Sequence, residues 1–236
     1  MKLTLAFVAF GTAAGFSSTP ATRTSLRTSR LHASSDEYVV GILGDLHIDP
    51  RKMEDYATGR SHFAPIIDEA NKAHGNVALV SLGDLGESKN CEHNPESDSE
   101  LFAGTTQCHE LAAEFLGSFG VSYDVVGGNH DLEGLDEFET DKENLDMYLK
   151  AHGKETAHFC REVADKTLLV GMGSTLFREA IYTSHEVTID QGQIDWFENL
   201  LQTHPAEEGW KIFVFTHAPP NGSGLRVLQE NHGEFT

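Results

Sequence analysis

Short apolar runs alternate with helix-periodic polar stretches along this chain of 236 residues. Glu37 to Leu43, Val77 to Leu82 and Val121 to Val126 carry the near-continuous apolar pattern of strands buried on both faces. Between the first two, Ser61 to His74 puts Phe63, Ile66, Ile67 and Ala70 at helical spacing, which predicts a crossover helix. Between the second and third, Thr106 to Phe119 does the same with Leu111, Ala112, Phe115, Leu116 and Phe119. Two such βαβ-like steps in a row predict an α/β fold with ligand loops at the C-terminal strand edge. Lys166 to Met172 and Trp210 to Thr216 read as further strands, and His185 to Ile189 alternates as one. Asp190 to Thr203 reads as a capped helix with Ile194, Phe197, Leu200 and Leu201 on one face. Glu133 to Leu149 is acidic and mixed, with Met147, Tyr148 and Leu149 closing a helix as core residues. Lys89 to Thr105, polar and containing Pro95, reads as a surface loop near the strand ends.

The residues just beyond each buried strand turn the picture from fold to chemistry. The first strand runs into Gly44-Asp45-Leu46-His47-Ile48-Asp49, where Asp45 and His47, two apart, point the same way in extended geometry. One hard oxygen and one imidazole nitrogen on one side of a loop can share a cation; a turn with an incidental histidine is the plain alternative. The second runs into Gly83-Asp84-Leu85-Gly86-Glu87, again glycine then aspartate, against the alternative of a turn opened by Asp. The third breaks into Gly127-Gly128-Asn129-His130-Asp131, glycines that allow a sharp turn and then three side chains able to bind a metal or move a proton. The strand at 210–216 ends in His217-Ala218-Pro219-Pro220, an imidazole set before a proline-fixed turn. Asp45, His47, Asp84, Asn129 and His217 together form an oxygen/nitrogen donor set without thiolate, which selects Mn, Fe, Zn or Mg.

Composition narrows the partners. The length and the 39% apolar content suit one sizeable core and one domain. A net charge of −20 repels nucleic-acid phosphate and anionic lipid, so nucleic acid is excluded as a partner and an anionic substrate requires bound cations to reverse the local field. No apolar run is long enough for stable membrane insertion. Cys91, Cys108 and Cys160 have no CxxC spacing, and their odd number gives no disulfide framework; a zinc clip built on Cys91-x-His93 and Cys108-His109 fits no common module.

Met1 to Gly15 has one lysine, an apolar run and small residues in the order of a secretory signal; Phe16 to Ser35 is rich in Ser, Thr and Arg and lacks acids. In series they resemble the two-part presequence of algae with complex plastids, with Phe16 after the first cleavage point and Arg30-Leu31-His32-Ala33 as a second. The expectation is a disordered presequence over 1–35 and a plastid (chloroplast) location for a mature domain over 36–236, the alternative being a secreted protein with a Ser/Thr-rich linker.

Taken in order, Asp45-Leu46-His47, Gly83-Asp84, Gly128-Asn129-His130-Asp131 and His217 resemble the motif series of the calcineurin-like metallophosphoesterases, over Val39 to His217. The resemblance implies a layered α/β sandwich with a mixed β-sheet core flanked by helices. It implies two divalent metal ions and hydrolysis of a small phosphoester by a metal-bound hydroxide. It gives Asp45 and His47 to the first metal, makes Asp84 the bridge and gives Asn129 and His217 to the second. His130 becomes the general acid, aided by a carboxylate for which Glu87 and Asp131 are the candidates. The family has Asp three residues after the bridge where this chain has Glu87; no Asp-Arg-Gly is found there, unlike the protein Ser/Thr phosphatases, and no Tyr, unlike the purple acid phosphatases. The segments at 182–185 and 216–224 resemble a plant and algal subgroup. The family's closing Gly-His-x-His has no counterpart here, so the expectation is a chain truncated before its last strands, or an inactive relative serving as a binding or scaffold protein.

Overall fold

The computed structural model describes residues 5–9, 38–87, 102–134, 136–174 and 189–219. Strands β1 (Leu5–Ala9), β2 (Val39–Leu43), β3 (Val77–Ser81) and β4 (Ser122–Val125) form one sheet in that order. β1 is antiparallel to β2, while β2, β3 and β4 are parallel. β5 (Phe159–Ala164), β6 (Thr167–Met172) and β7 (Lys211–Thr216) form a second sheet, in which β5 and β6 make an antiparallel hairpin and β7 runs parallel to β6. Helices α1 (Met53–His74), α2 (Thr106–Gly117), α3 (Asp141–Ala151) and α4 (Gln191–Thr203) complete the described elements.

Strand alternation sorts the side chains into three layers of contact. Leu43, Val77, Leu79 and Val125 face α1 to α3 and pack with Tyr56, Ile67, Ala112, Leu116 and Tyr148. The opposite faces of β2 and β3 present Val40, Ala78 and Val80 to Val163, Ala164 and Leu169 of the second sheet. Leu168, Val170 and Met172 point outward again, onto Trp196, Phe197 and Leu200 of α4. The architecture is therefore helices, sheet, sheet, helix, the layered α/β sandwich with parallel and mixed sheets that the motif series implies.

Several boundaries differ from the sequence reading for physical reasons. α1 begins at Met53 and not near Ser61, because Asp49 caps the preceding turn on the Arg51 N–H and Tyr56 is drawn into the core. β5 carries Arg161 and Glu162 and has no apolar run to announce it; it pairs with β6 through a turn at Asp165-Lys166 that lacks the glycine usual in tight hairpins. Arg161 is held there by Asp124 of β4, 2.6 Å away. Of the presequence, only Leu5–Ala9 is described, as the strand beside β2. The strand-like stretch before Ile189, most of the 89–105 loop and everything after Pro219 lie outside the described residues. The end of that loop is not at the surface: Ala103 is fully buried. No described helix is long and apolar enough to cross a membrane.

Two histidines packed ring to ring give the helical layer a pH dependence. His109 of α2 is fully buried with its ring against Tyr148 and His152. Burial pulls the imidazole of His109 down to about 4 and that of His152 to about 3. The unfolded chain protonates both near their ordinary value of 6.5. Below that pH the unfolded state binds more protons, so stability is complete above about pH 6.5 and falls as pH drops toward 4, by up to about 1.4 kcal/mol per pH unit for each imidazole. Urea denaturation from pH 7.5 to 4.5 is expected to show this slope, and His109→Gln is expected to remove about half of it whatever it does to absolute stability. An unchanged slope would assign the acid limb to other groups.

Candidate metal centre

The loops after β2 and β3 continue to pair after the regular strands end. His47 N–H donates to the Asp84 carbonyl (2.8 Å), Ile48 N–H to Leu85 (2.8 Å) and Glu87 N–H to Ile48 (3.0 Å). This irregular ladder forces a left-handed backbone at Asp45 (φ 37°), His47 (φ 41°) and Asp84 (φ 50°). Each such non-glycine residue costs on the order of 1–3 kcal/mol, and such strain clusters at functional sites. Three of the five residues read as ligands carry it; among the other described non-glycine residues only Lys166 does.

The glycines before the ligands are required by close approach. A Cβ on Gly83 would strike the Gly128 backbone, and one on Gly128 would strike Asp84. The two turns thus touch main chain to main chain, and Asp131 binds them together. Its Oδ2 accepts the N–H of Gly128 (2.7 Å) and of Asp84 (3.0 Å), and its Oδ1 accepts that of Leu85 (2.7 Å). The residue is 1% exposed. Burial, and then the charge of Asp84, push its carboxyl up, against the pull of the Gly128 and Leu85 amides. Asp131, expected among the catalytic residues, has both carboxylate oxygens on the backbone N–H groups of the turns under the site.

The ligand candidates converge on Asp84. His217, at the end of β7, has Nδ1 2.8 Å from the Leu82 carbonyl. A carbonyl only accepts, so Nδ1 carries the proton and Nε2 presents a lone pair. That Nε2 lies 3.6 Å from Asp84 Oδ2 and 2.9 Å from Asn129 Oδ1. His47 repeats the pattern, with Nδ1 3.2 Å from the Gly86 carbonyl and Nε2 3.8 Å from the same Asp84 Oδ2. Asp45 is exposed on the rim, and a carboxylate oxygen of it, one of Asp84 and a ring nitrogen of His217 lie within 4.8 Å of one another. Lone pairs of two imidazoles, a carboxylate and an amide oxygen facing one another repel without a cation and attract one. Histidines that give Nδ1–H to a carbonyl and turn Nε2 inward are oriented as metal-ligating histidines are. The donor set fits a divalent cation.

The residues beside it complete the picture. His130 N–H donates to Asp84 Oδ1 (3.0 Å), and its ring stands 5.9 Å from that of His47. The carboxylate that meets its Nδ1 is neither candidate from the sequence but Glu133, 2.9 Å away. Glu133 first, then the charges of Asp84 and Asp131, hold the His130 imidazole above its ordinary range despite burial. Glu87 is half-buried, with its main chain on Ile48 and Ala103 and its charge felt by Tyr56. Sequence reasoning passes over Glu133; its signal is the i to i+3 spacing from His130 across one turn, which Glu133 N–H closes onto the His130 carbonyl (3.2 Å). It also passes over Tyr56, whose hydroxyl donates to the His47 carbonyl and fixes that strained residue. The cysteine alternative has no support in Cys108, which is fully buried against Gly86 with its thiol pushed up by burial; Cys91 lies outside the described residues.

Comparison with known proteins bears on the same segment. The family model for calcineurin-like phosphoesterases matches residues 38–234. No curated protein matches the chain. Among solved structures, it is similar to a dimetal phosphatase from Danio rerio, with a TM-score of 0.51 at 12% identity, over 77% of this chain and 70% of that one.

Proposed function

The chain belongs to the calcineurin-like phosphoesterase family, and from that premise we propose that it is a hydrolase of small phosphoesters working with two divalent cations. The observation that carries the reading is the convergence of His47 Nε2 and His217 Nε2 on one oxygen of Asp84, at 3.8 and 3.6 Å. Asp84, flanked by the two imidazoles, would serve both cations. Asp45 and His47 would hold one cation, Asn129 and His217 the other. Such cations neutralise phosphoryl oxygens and make water a nucleophile at neutral pH.

The protein's own share is placement. Asp131 and the Gly83–Gly128 contact keep Asp84 fixed, so the ligands need not reorganise. The Leu82 and Gly86 carbonyls keep both histidines in the tautomer that binds. His130, anchored by its own N–H to Asp84, stands where it can protonate a leaving oxygen. The net charge of −20 repels a phosphate ester, so productive binding would fall to this cation-holding rim. The presequence composition supports a plastid as the place of action.

With Mn²⁺ added, the purified protein is expected to hydrolyse p-nitrophenyl phosphate, and EDTA is expected to stop it. Metal uptake without turnover of any phosphoester would support the inactive binding-protein reading instead.

A further inference from the structure

We propose that Glu133 is the positioning residue that fixes the His130 ring for proton delivery to the leaving group. This rests on the phosphoesterase reading and assigns one part of its machinery. Glu133 Oε1 lies 2.9 Å from His130 Nδ1, and the Glu133 side chain is only 8% exposed. A carboxylate in that place accepts Nδ1–H and leaves Nε2, the opposite nitrogen, to face substrate.

The main chain that carries this carboxylate is held from several sides. Its backbone closes a turn onto the His130 carbonyl, 3.2 Å away. Gly104 packs so closely on the main chain of Glu133 and Gly134 that a Cβ there would strike both. Buried Asn144 of α3 accepts the Gly134 N–H at 3.0 Å through Oδ1 and donates through Nδ2 to the Gly104 carbonyl. The helical layer thus delivers a fixed carboxylate to a histidine at the strand edge.

In the step itself, the water oxygen bonds to phosphorus and gives a proton to solvent. The ester P–O bond breaks with its electron pair on the leaving oxygen, which takes the proton from His130 Nε2. The ring becomes neutral. Leaving groups differ in their need for that proton: p-nitrophenolate departs without it, whereas an alkoxide does not.

The test is kcat/KM of the full chain with Mn²⁺ on p-nitrophenyl phosphate and on glycerol phosphate, for wild type, Glu133→Gln, His130→Gln and the double variant. The loss in Glu133→Gln is expected to be larger by about 10-fold or more on the alkyl ester than on the aryl ester. The double variant is expected to fall no further than His130→Gln alone. Equal losses on both esters would mean that Glu133 is only structural, and additive losses that it does not act through His130; either result overturns the assignment. A wild type inactive on both esters, with Mn²⁺ bound, overturns the phosphoesterase reading and this assignment with it.

Discussion

Asp84→Asn is expected to lower Mn²⁺-dependent phosphoester hydrolysis by about 10³-fold or more while leaving the protein folded. The side chain keeps its shape and the oxygen that accepts the His130 N–H. What changes is the other oxygen, toward which both His47 Nε2 and His217 Nε2 point. An amide NH₂ there loses the negative charge and puts a hydrogen-bond donor where a cation would sit. Cation stabilisation of the transition state is worth several kcal/mol, and about 1.4 kcal/mol is tenfold in rate. The same donor satisfies the imidazole lone pairs, so the metal-free variant is expected to melt at or above the metal-free wild type. Retained activity, or loss of activity only through unfolding, would remove Asp84 from the centre of the site.

Asp131→Ala is expected to act in the opposite way, on stability before chemistry. The substitution strands the N–H groups of Gly128, Asp84 and Leu85 in a buried turn. Each costs about 1–3 kcal/mol when left without an acceptor. Relief of the repulsion with Asp84 and of the buried charge offsets part of this. A net loss of about 3 kcal/mol is a large share of the ~5–15 kcal/mol that holds a domain folded, and in a chain of this size it lowers Tm by about 10 °C. Asp131→Asn, which keeps one acceptor oxygen, is expected to lie between. An unchanged Tm with activity lost would restore the catalytic role that its place in the motif suggests.

The contrast between these two aspartates shows how far the sequence is legible. Three ligand candidates stand just beyond apolar strands, and a parallel strand ends in the same direction as its neighbour, so period and punctuation place Asp45, Asp84 and Asn129 at one edge, while His217 reaches it from the end of β7 in the second sheet. The division of labour within Asn129-His130-Asp131 cannot be read so, because neighbouring residues in a turn leave it in different directions. Asp131 turns into the protein, 1% exposed, while the His130 side chain stays partly exposed. The partner of His130 depends on α3 and Gly104, elements remote in sequence, which bring Glu133 up where the motif points to Glu87. On the fold side, β5 escapes a search for apolar runs because its polar residues find their partner across the sandwich, in the pairing of Arg161 with Asp124. α1 reads short because its first turns are polar and hold Thr58 and Gly59, while the reason they are helical is Tyr56 reaching the His47 loop.

The most direct test of the central claim is Mn²⁺ binding to the metal-free chain monitored by electron paramagnetic resonance, with Asp84→Asn alongside. Two Mn²⁺ ions held in common by Asp84 would be spin-coupled. The wild type is therefore expected to take up two Mn²⁺ per chain with a coupled signal that the variant loses. No uptake, or isolated Mn²⁺ signals identical in wild type and variant, would contradict a cation pair gripped at these strand ends.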